Sequence, residues 1–346
     1  MSVEITLYTQ KTTKTALTKF LLTEGFQKTK HFLDEMNTSD MIHYMWFCFD
    51  NYESSSGVEA SICKTSTEEQ AKYKCSEWIL HTRTRSSGSY EDKQKQNNII
   101  RKARQLFKGT FYNDWYGANA YTNLNDYTKF SPLEKGLSII ASSSIEKLDQ
   151  IGNCLVGYKN EVSDTFANLN IESMKELLKT KDPSIILYNS LIPFLVSILE
   201  YFYGQCFVDF IKYDTKAKNL LVDEKLKIGI ADVITILQKE NSLEQIIVQS
   251  YNFQNLDSIN KAYKRYLSID VMSMLSKRKK VNKKIVRILT KIQEILYARH
   301  RFVHELYINY DLTKQLYLDY IATVKCAILL TIESFRQKGL RIKLDR

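Results

Sequence analysis

Proline and glycine are scarce in this chain of 346 residues, with three prolines and eleven glycines. A fold of many short strands and tight turns needs more of both, so an all-β architecture is disfavoured and long uninterrupted helices are expected. No Cys-x-x-Cys pair occurs. Cys48, Cys63, Cys75, Cys154, Cys206 and Cys326 lie mostly inside apolar runs and read as reduced, buried side chains of a cytosolic protein. No basic and apolar leader opens the chain, because Met1 to Tyr8 alternates like a strand, so secretion is not indicated. Gly-x-Ser-x-Gly, His-Glu-x-x-His, the P-loop pattern and any carboxylate-rich metal signature are also missing, which leaves the corresponding hydrolase classes without support.

What is present is apolar and unevenly charged. With 44% hydrophobic and 25% charged residues, the chain has material for large cores and for two globular domains. The most apolar run, Ile185 to Ile211, carries Asn189, Pro193, Glu200 and Asp209, and is read as a buried core helix rather than a membrane span. The net charge of +10 belongs almost wholly to the second half: residues 1–150 hold 19 basic and 18 acidic side chains, residues 151–346 hold 30 and 21. Between Lys261 and His304 there are 13 basic residues against Asp270 and Glu294 alone. Such a run is either a phosphate footprint or a solvated helix face. As a footprint, its members are Lys277, Arg278, Lys279, Lys280, Lys283, Lys284, Arg287 and Arg301.

Patterning divides the chain. Val3, Ile5 and Leu7 alternate with polar residues, and Met41 to Phe49, Val58 to Cys63 and Tyr73 to Arg85 read as further strands. Helices are expected over Thr13 to Phe26 and Asp92 to Lys108, the second ending at Gly109. This predicts an α+β domain with a mainly antiparallel sheet. From Pro132 onward the periodicity is helical almost throughout, broken near Lys181 to Pro183, Tyr213 to Lys218, Lys239 to Ser242 and Tyr307 to Asp311. The expected organisation is an α+β domain over 1–140, with its boundary between about 125 and 160, a helical connector over 141–184 and an all-α bundle over 185–346.

Chemistry concentrates in Leu296-Tyr-Ala-Arg299-His300-Arg301-Phe-Val-His304-Glu305, which holds two of the five histidines. Imidazole titrates near neutral pH, so one ring can take the proton of a ribose 2′-hydroxyl and another can give one to the leaving 5′-oxygen. A guanidinium binds the phosphate and the charge that develops on it. That chemistry requires no metal. On an ideal helix Arg299 and His304 stand about 140° apart, so they converge on one phosphate only near a bend or with a second subunit. The structural alternative pairs Arg299 with Glu294 or Glu305 and packs His304 in the core.

Arg299-His300-x-x-x-His304 resembles the Arg-polar-(three to five residues)-His motif of HEPN domains. Its context is similar to that of RiboL-PSP-type HEPN proteins: Ser197-x-x-Glu200 on an apolar helix, Tyr251-x-Phe253-Gln254-Asn255-Leu256, Tyr263 to Val271, the motif helix, and a last helix from Leu312 to Gln337. The likeness covers roughly 185–340. It implies a HEPN-like helical bundle and a dimeric, metal-independent, cofactor-free, cytoplasmic endoribonuclease. Arg299 and His304 would be its catalytic pair, His300 the polar member, and Glu200 and Glu305 would support them. It further implies a defence effector or toxin, with an antitoxin or regulatory ligand as partner. No glycine follows His304 closely, where many relatives carry one. The alternative functions are a non-catalytic RNA- or protein-binding module and a nucleotide-sensing regulator.

The second candidate site is N-terminal. His81, Arg83 and Arg85 alternate along one strand face and, with Arg101, Arg104, Asp114 and Trp115, are expected either to form a phosphate pocket or to be a polar sheet face under the following helix. The aromatic stretch from Phe111 to Phe130 reads as an interdomain core or as base-stacking surface.

Overall fold

Strict alternation makes Val3, Ile5 and Leu7 the buried side of β1 (Ser2–Tyr8), with Glu4, Thr6 and Tyr8 on the other. Thr13 caps α1 (Lys14–Thr23), and Gly25, at φ 84°, turns the chain into β2 (Gln27–Lys28). The computed structural model describes residues 2–29, 40–158, 180–222, 228–238 and 240–344. These belong to two compact units, Met1–Pro132 and Leu133–Arg346.

In the first unit β4 (Val58–Lys64) falls where alternation put it, and β3 (Met41–Trp46) starts as expected but ends three residues before Phe49. The strand expected over Tyr73 to Arg85 is shorter. Ser66 and Glu69 form a capping box that starts α2 (Thr67–Tyr73), Lys74 ends it at φ 49°, and β5 runs only over Trp78–Arg85. A second capping box, Ser89 with Asp92, starts α3 (Tyr90–Phe107). Gly109, at φ 110°, then lies so close to the Tyr8 carbonyl that no Cβ fits. After β6 (Thr110–Asn113) and β7 (Gly117–Ala118) the sheet order is β2-β3-β4-β5-β1-β6-β7, every pair antiparallel. α1 and α3 cover one face, burying Leu17, Phe20, Ile99, Ile100 and Ala103 against Ile5, Leu7, Ile62 and Leu80. The aromatic stretch divides: Phe111 is in this core, tilted against Tyr121 at 4.7 Å, whereas Tyr112 and Trp115 are exposed.

The second unit is mostly helical: α4 (Pro132–Gly157), α5 (Pro183–Tyr213), α6 (Thr215–Val222), α7 (Ile230–Leu237), α8 (Leu243–Gln249), α9 (Leu256–Leu267) and α10 (Val271–Leu275). The strands β8 (Arg278–Val281) and β9 (Lys284–Arg287) precede α11 (Ile288–Glu305) and α12 (Lys314–Gln337). The expected break at Tyr307 to Asp311 falls between α11 and α12, and that at Lys181 to Pro183 ends where α5 begins; of Tyr213 to Lys218 only Asp214 lies outside a helix, and of Lys239 to Ser242 the residue Lys239 lies outside the described residues while 240–242 precede α8. Residues 159–179 of the expected connector lie outside the described residues, and 141–157 belong to α4. α5 and α12 are long and apolar enough to cross a membrane, and about half of the most apolar stretch of each is buried inside the unit (50% and 56%). Their buried residues, among them Phe202, Phe207, Val324 and Ile328, share one core with Tyr263, Ile288 and Ile292.

Two expectations fail here. The unit is not all-α, because the basic run forms a two-stranded ribbon whose turn residues Asn282 and Lys283 have φ 45° and 70°. Two consecutive positive φ values close a two-residue hairpin and are incompatible with a continuous helix. Of the six cysteines, all free thiols, Cys206 is buried but Cys154 is exposed and the rest are half-buried.

Candidate active site at the end of the motif helix

α11 buries Ile288, Ile292 and Ile295. Arg299 is the next position on that stripe, so it leaves the core on the side facing α5 and is half-buried. There its charge is felt by Glu200 of α5. Burial pushes the Glu200 carboxyl up from the usual range, opposed by the Arg299 charge and by Gln254, whose Nε2 donates to Glu200 Oε2 at 3.4 Å. Gln254 directly precedes Asn255, which caps α9 by accepting from Asp257 and Ser258. Tyr251 and Phe253 pack on Phe207 of α5 at 5.6 Å. The Tyr-x-Phe-Gln-Asn stretch is therefore a bracket that delivers Gln254 to Glu200.

His300 and His304 stand one turn apart on the opposite, exposed side, with ring centroids 4.9 Å apart. Thus His304 is brought to His300, and Arg299 to Glu200. The alternative pairings are not found. Glu294 accepts from Lys291 at 2.6 Å and Glu305 from Arg301 at 3.0 Å. Among the described residues no ion pair within 4 Å engages Arg299. His304 is exposed, not packed in the core.

Two of the expected site residues pair with each other. Arg301, assigned to RNA, is held within its own helix end: its guanidinium lies over the Tyr307 ring at 3.4 Å and pairs with Glu305, which raises its pKa. Glu305 is thus paired with Arg301. The helix then ends without a glycine because Leu306 takes the left-handed conformation itself, at φ 52°, fully in solvent. The loop beyond is held by a residue that the sequence reading did not assign, the buried Asn189 of α5. Its Nδ2 donates to the Asn309 carbonyl at 3.0 Å and its Oδ1 accepts from the Asn309 N–H at 2.9 Å. A polar residue inside an apolar helix was the available signal.

The N-terminal cluster does not assemble as one pocket. His81, Arg83 and Arg85 share the sheet face opposite to α3, whereas Arg101 and Arg104 ride on α3 itself, over Tyr121 and Phe111. The following helix covers the other face of the strand, so the covered-face expectation fails as well. Glu4 neutralises much of the open face: it lies 3.6 Å from His81 and 3.4 Å from Arg83, which also meets Glu59 at 3.4 Å. Thr6 hydrogen-bonds His81 Nδ1 at 2.9 Å, and burial lowers the His81 pKa against the charges of Glu4 and Asp114. Trp115 is exposed.

Among the described residues no group of three or more His, Cys, Asp or Glu side chains is placed to hold a metal ion. No family model, no curated protein and no solved structure matches the chain.

Proposed function

We propose that the helical unit is a metal-independent endoribonuclease of the HEPN type, working in the cytoplasm as a homodimer. The observation that carries the proposal is the exposed His300–His304 pair, 4.9 Å apart, beside an Arg299 whose charged neighbour is the partly desolvated Glu200. A neutral ring of the pair takes the 2′-hydroxyl proton, the oxygen attacks the adjacent phosphorus, and the other ring, protonated, hands a proton to the departing 5′-oxygen. Arg299, positioned by Glu200, binds the non-bridging phosphate oxygens, from its own chain or across a two-fold axis. Purified protein with chelator should then cut RNA to 2′,3′-cyclic phosphate and 5′-hydroxyl ends and leave DNA intact. Products with a 5′-phosphate that form only with added metal would sink this chemistry. Arg278, Lys280 and Lys283 of the β8–β9 ribbon, which pair with no acid among the described residues, favour a second reading, RNA binding without cleavage, and the same assay separates the two.

A further inference from the structure

We infer that the β8–β9 ribbon is an RNA exosite of this ribonuclease that grips the chain with its outer face alone, at the far end of α11 from the histidine pair. The inference rests on the reading of RNA as substrate.

Register sorts the cations. Arg278 lies opposite Arg287 and Lys280 opposite Ile285 on one face; Lys279 lies opposite Val286 and Val281 opposite Lys284 on the other. The second face is turned inward: Val281 is buried and Val286 half-buried in the helical core. Asp319 of α12 fixes it, accepting from Asn282 at 2.8 Å and from Lys284 at 3.4 Å. The first face is open, with Arg278, Lys280 and Arg287 around an Ile285 that is 75% exposed, and Lys283 at the turn.

That open face is unfavourable by itself. Like charges directly opposite one another repel, as Arg278 and Arg287 do, and a lysine at φ 70° is strained where glycine is not. Among the described residues no acid pairs with Arg278, Lys280 or Lys283. A polyanion supplies the missing counter-charge, and phosphates displace condensed counterions when they bind. A rise of about 1.5 Å per residue puts Arg287 about 18 Å from Arg299 and about 25 Å from His304 along the helix axis. An RNA that reaches both ends is several nucleotides long, so the ribbon adds affinity only for long chains.

The test uses the full chain carrying His304→Ala, which keeps RNA uncut, and labelled RNAs of about 4 and about 20 nucleotides, the range over which single-strand sites extend. Binding is followed by fluorescence anisotropy across a salt series. Combining Arg278→Gln, Lys280→Gln and Lys283→Gly should weaken the longer RNA roughly tenfold at low salt and reduce the slope of log affinity against log salt by about 2, near 0.7 per lost contact. Affinity for the short RNA should hardly change. A charge-matched control, Lys216→Gln, Lys218→Gln and Lys338→Gln, removes three exposed cations elsewhere in the unit and should leave both affinities near the parent's. Equal losses in the control, equal losses for both RNA lengths, or an unchanged slope would overturn the exosite. Thermal stability should not fall, since the altered side chains are exposed and the substitutions relieve the Arg278–Arg287 repulsion and a left-handed residue. If the unmodified chain cuts no RNA but this length-dependent binding persists, the ribonuclease reading fails and the exosite stands. If it cuts RNA without regard to the ribbon, the reverse holds.

Discussion

The rings of His300 and His304 lie 4.9 Å apart on the solvent side of α11, close enough for one chain to present both imidazoles to a single phosphodiester. His300→Ala should therefore lower cleavage about as severely as His304→Ala, each by roughly 10²-fold or more. Both side chains are exposed, so the melting temperature should stay near wild type. The comparison is single-turnover cleavage of one labelled RNA by both variants. Full activity in His300→Ala would return the second imidazole to a partner subunit.

Arg299 and Glu200 are coupled by charge. Because the guanidinium lowers a carboxyl pKa that burial raises, Arg299→Ala should push the Glu200 pKa further up. Carboxyl carbon NMR titration of Glu200 reads the shift. A downward shift, or none, would show that the two groups do not interact.

Asn189 holds Asn309 by both its N–H and its carbonyl, so Asn189→Ala leaves two backbone groups to find new partners. The expected loss is about 1–3 kcal/mol. Amide exchange should quicken over Leu306 to Leu312 more than over α12, and RNA cleavage should fall with it. Uniform exchange across the unit would assign Asn189 to general stability instead.

The first unit carries its own pH dependence. Lys93 is fully buried, donates to Thr84 Oγ1 at 2.7 Å and to the Arg85 carbonyl, and burial lowers its pKa to about 8 against the charge of Asp92. The folded unit thus holds this proton less tightly than the unfolded chain. Its stability from Lys93 should rise as pH climbs from about 8 toward the unfolded value near 10.5. Lys93→Met should flatten that rise in denaturant unfolding between those pH values. Parallel pH profiles for the two proteins would mean that Lys93 is not the titrating group.

Local order was legible wherever neighbours in sequence decide conformation. The alternation of β1, the helix breaks at Lys181 to Pro183 and Tyr307 to Asp311, and the segregation of charge into the second half all follow from residue order, since periodicity and capping act within a few residues. The Arg299–His304 spacing was equally plain, including its failure to converge on one helix face. Tertiary structure decided what those residues meet. The charge of Arg299 acts on Glu200 of α5, Gln254 reaches Glu200 from the turn before α9, and Asn189 reaches Asn309 from α5. The basic run became a ribbon because Val281 and Val286 can be buried against α12 while Asp319 holds the turn. The N-terminal cations parted because α3 packs on the side of β5 that bears Leu80 and Thr82, leaving His81 and Arg83 on the other. Such outcomes depend on contacts between distant segments, where burial and counter-charge outweigh the preferences that a short stretch of sequence expresses.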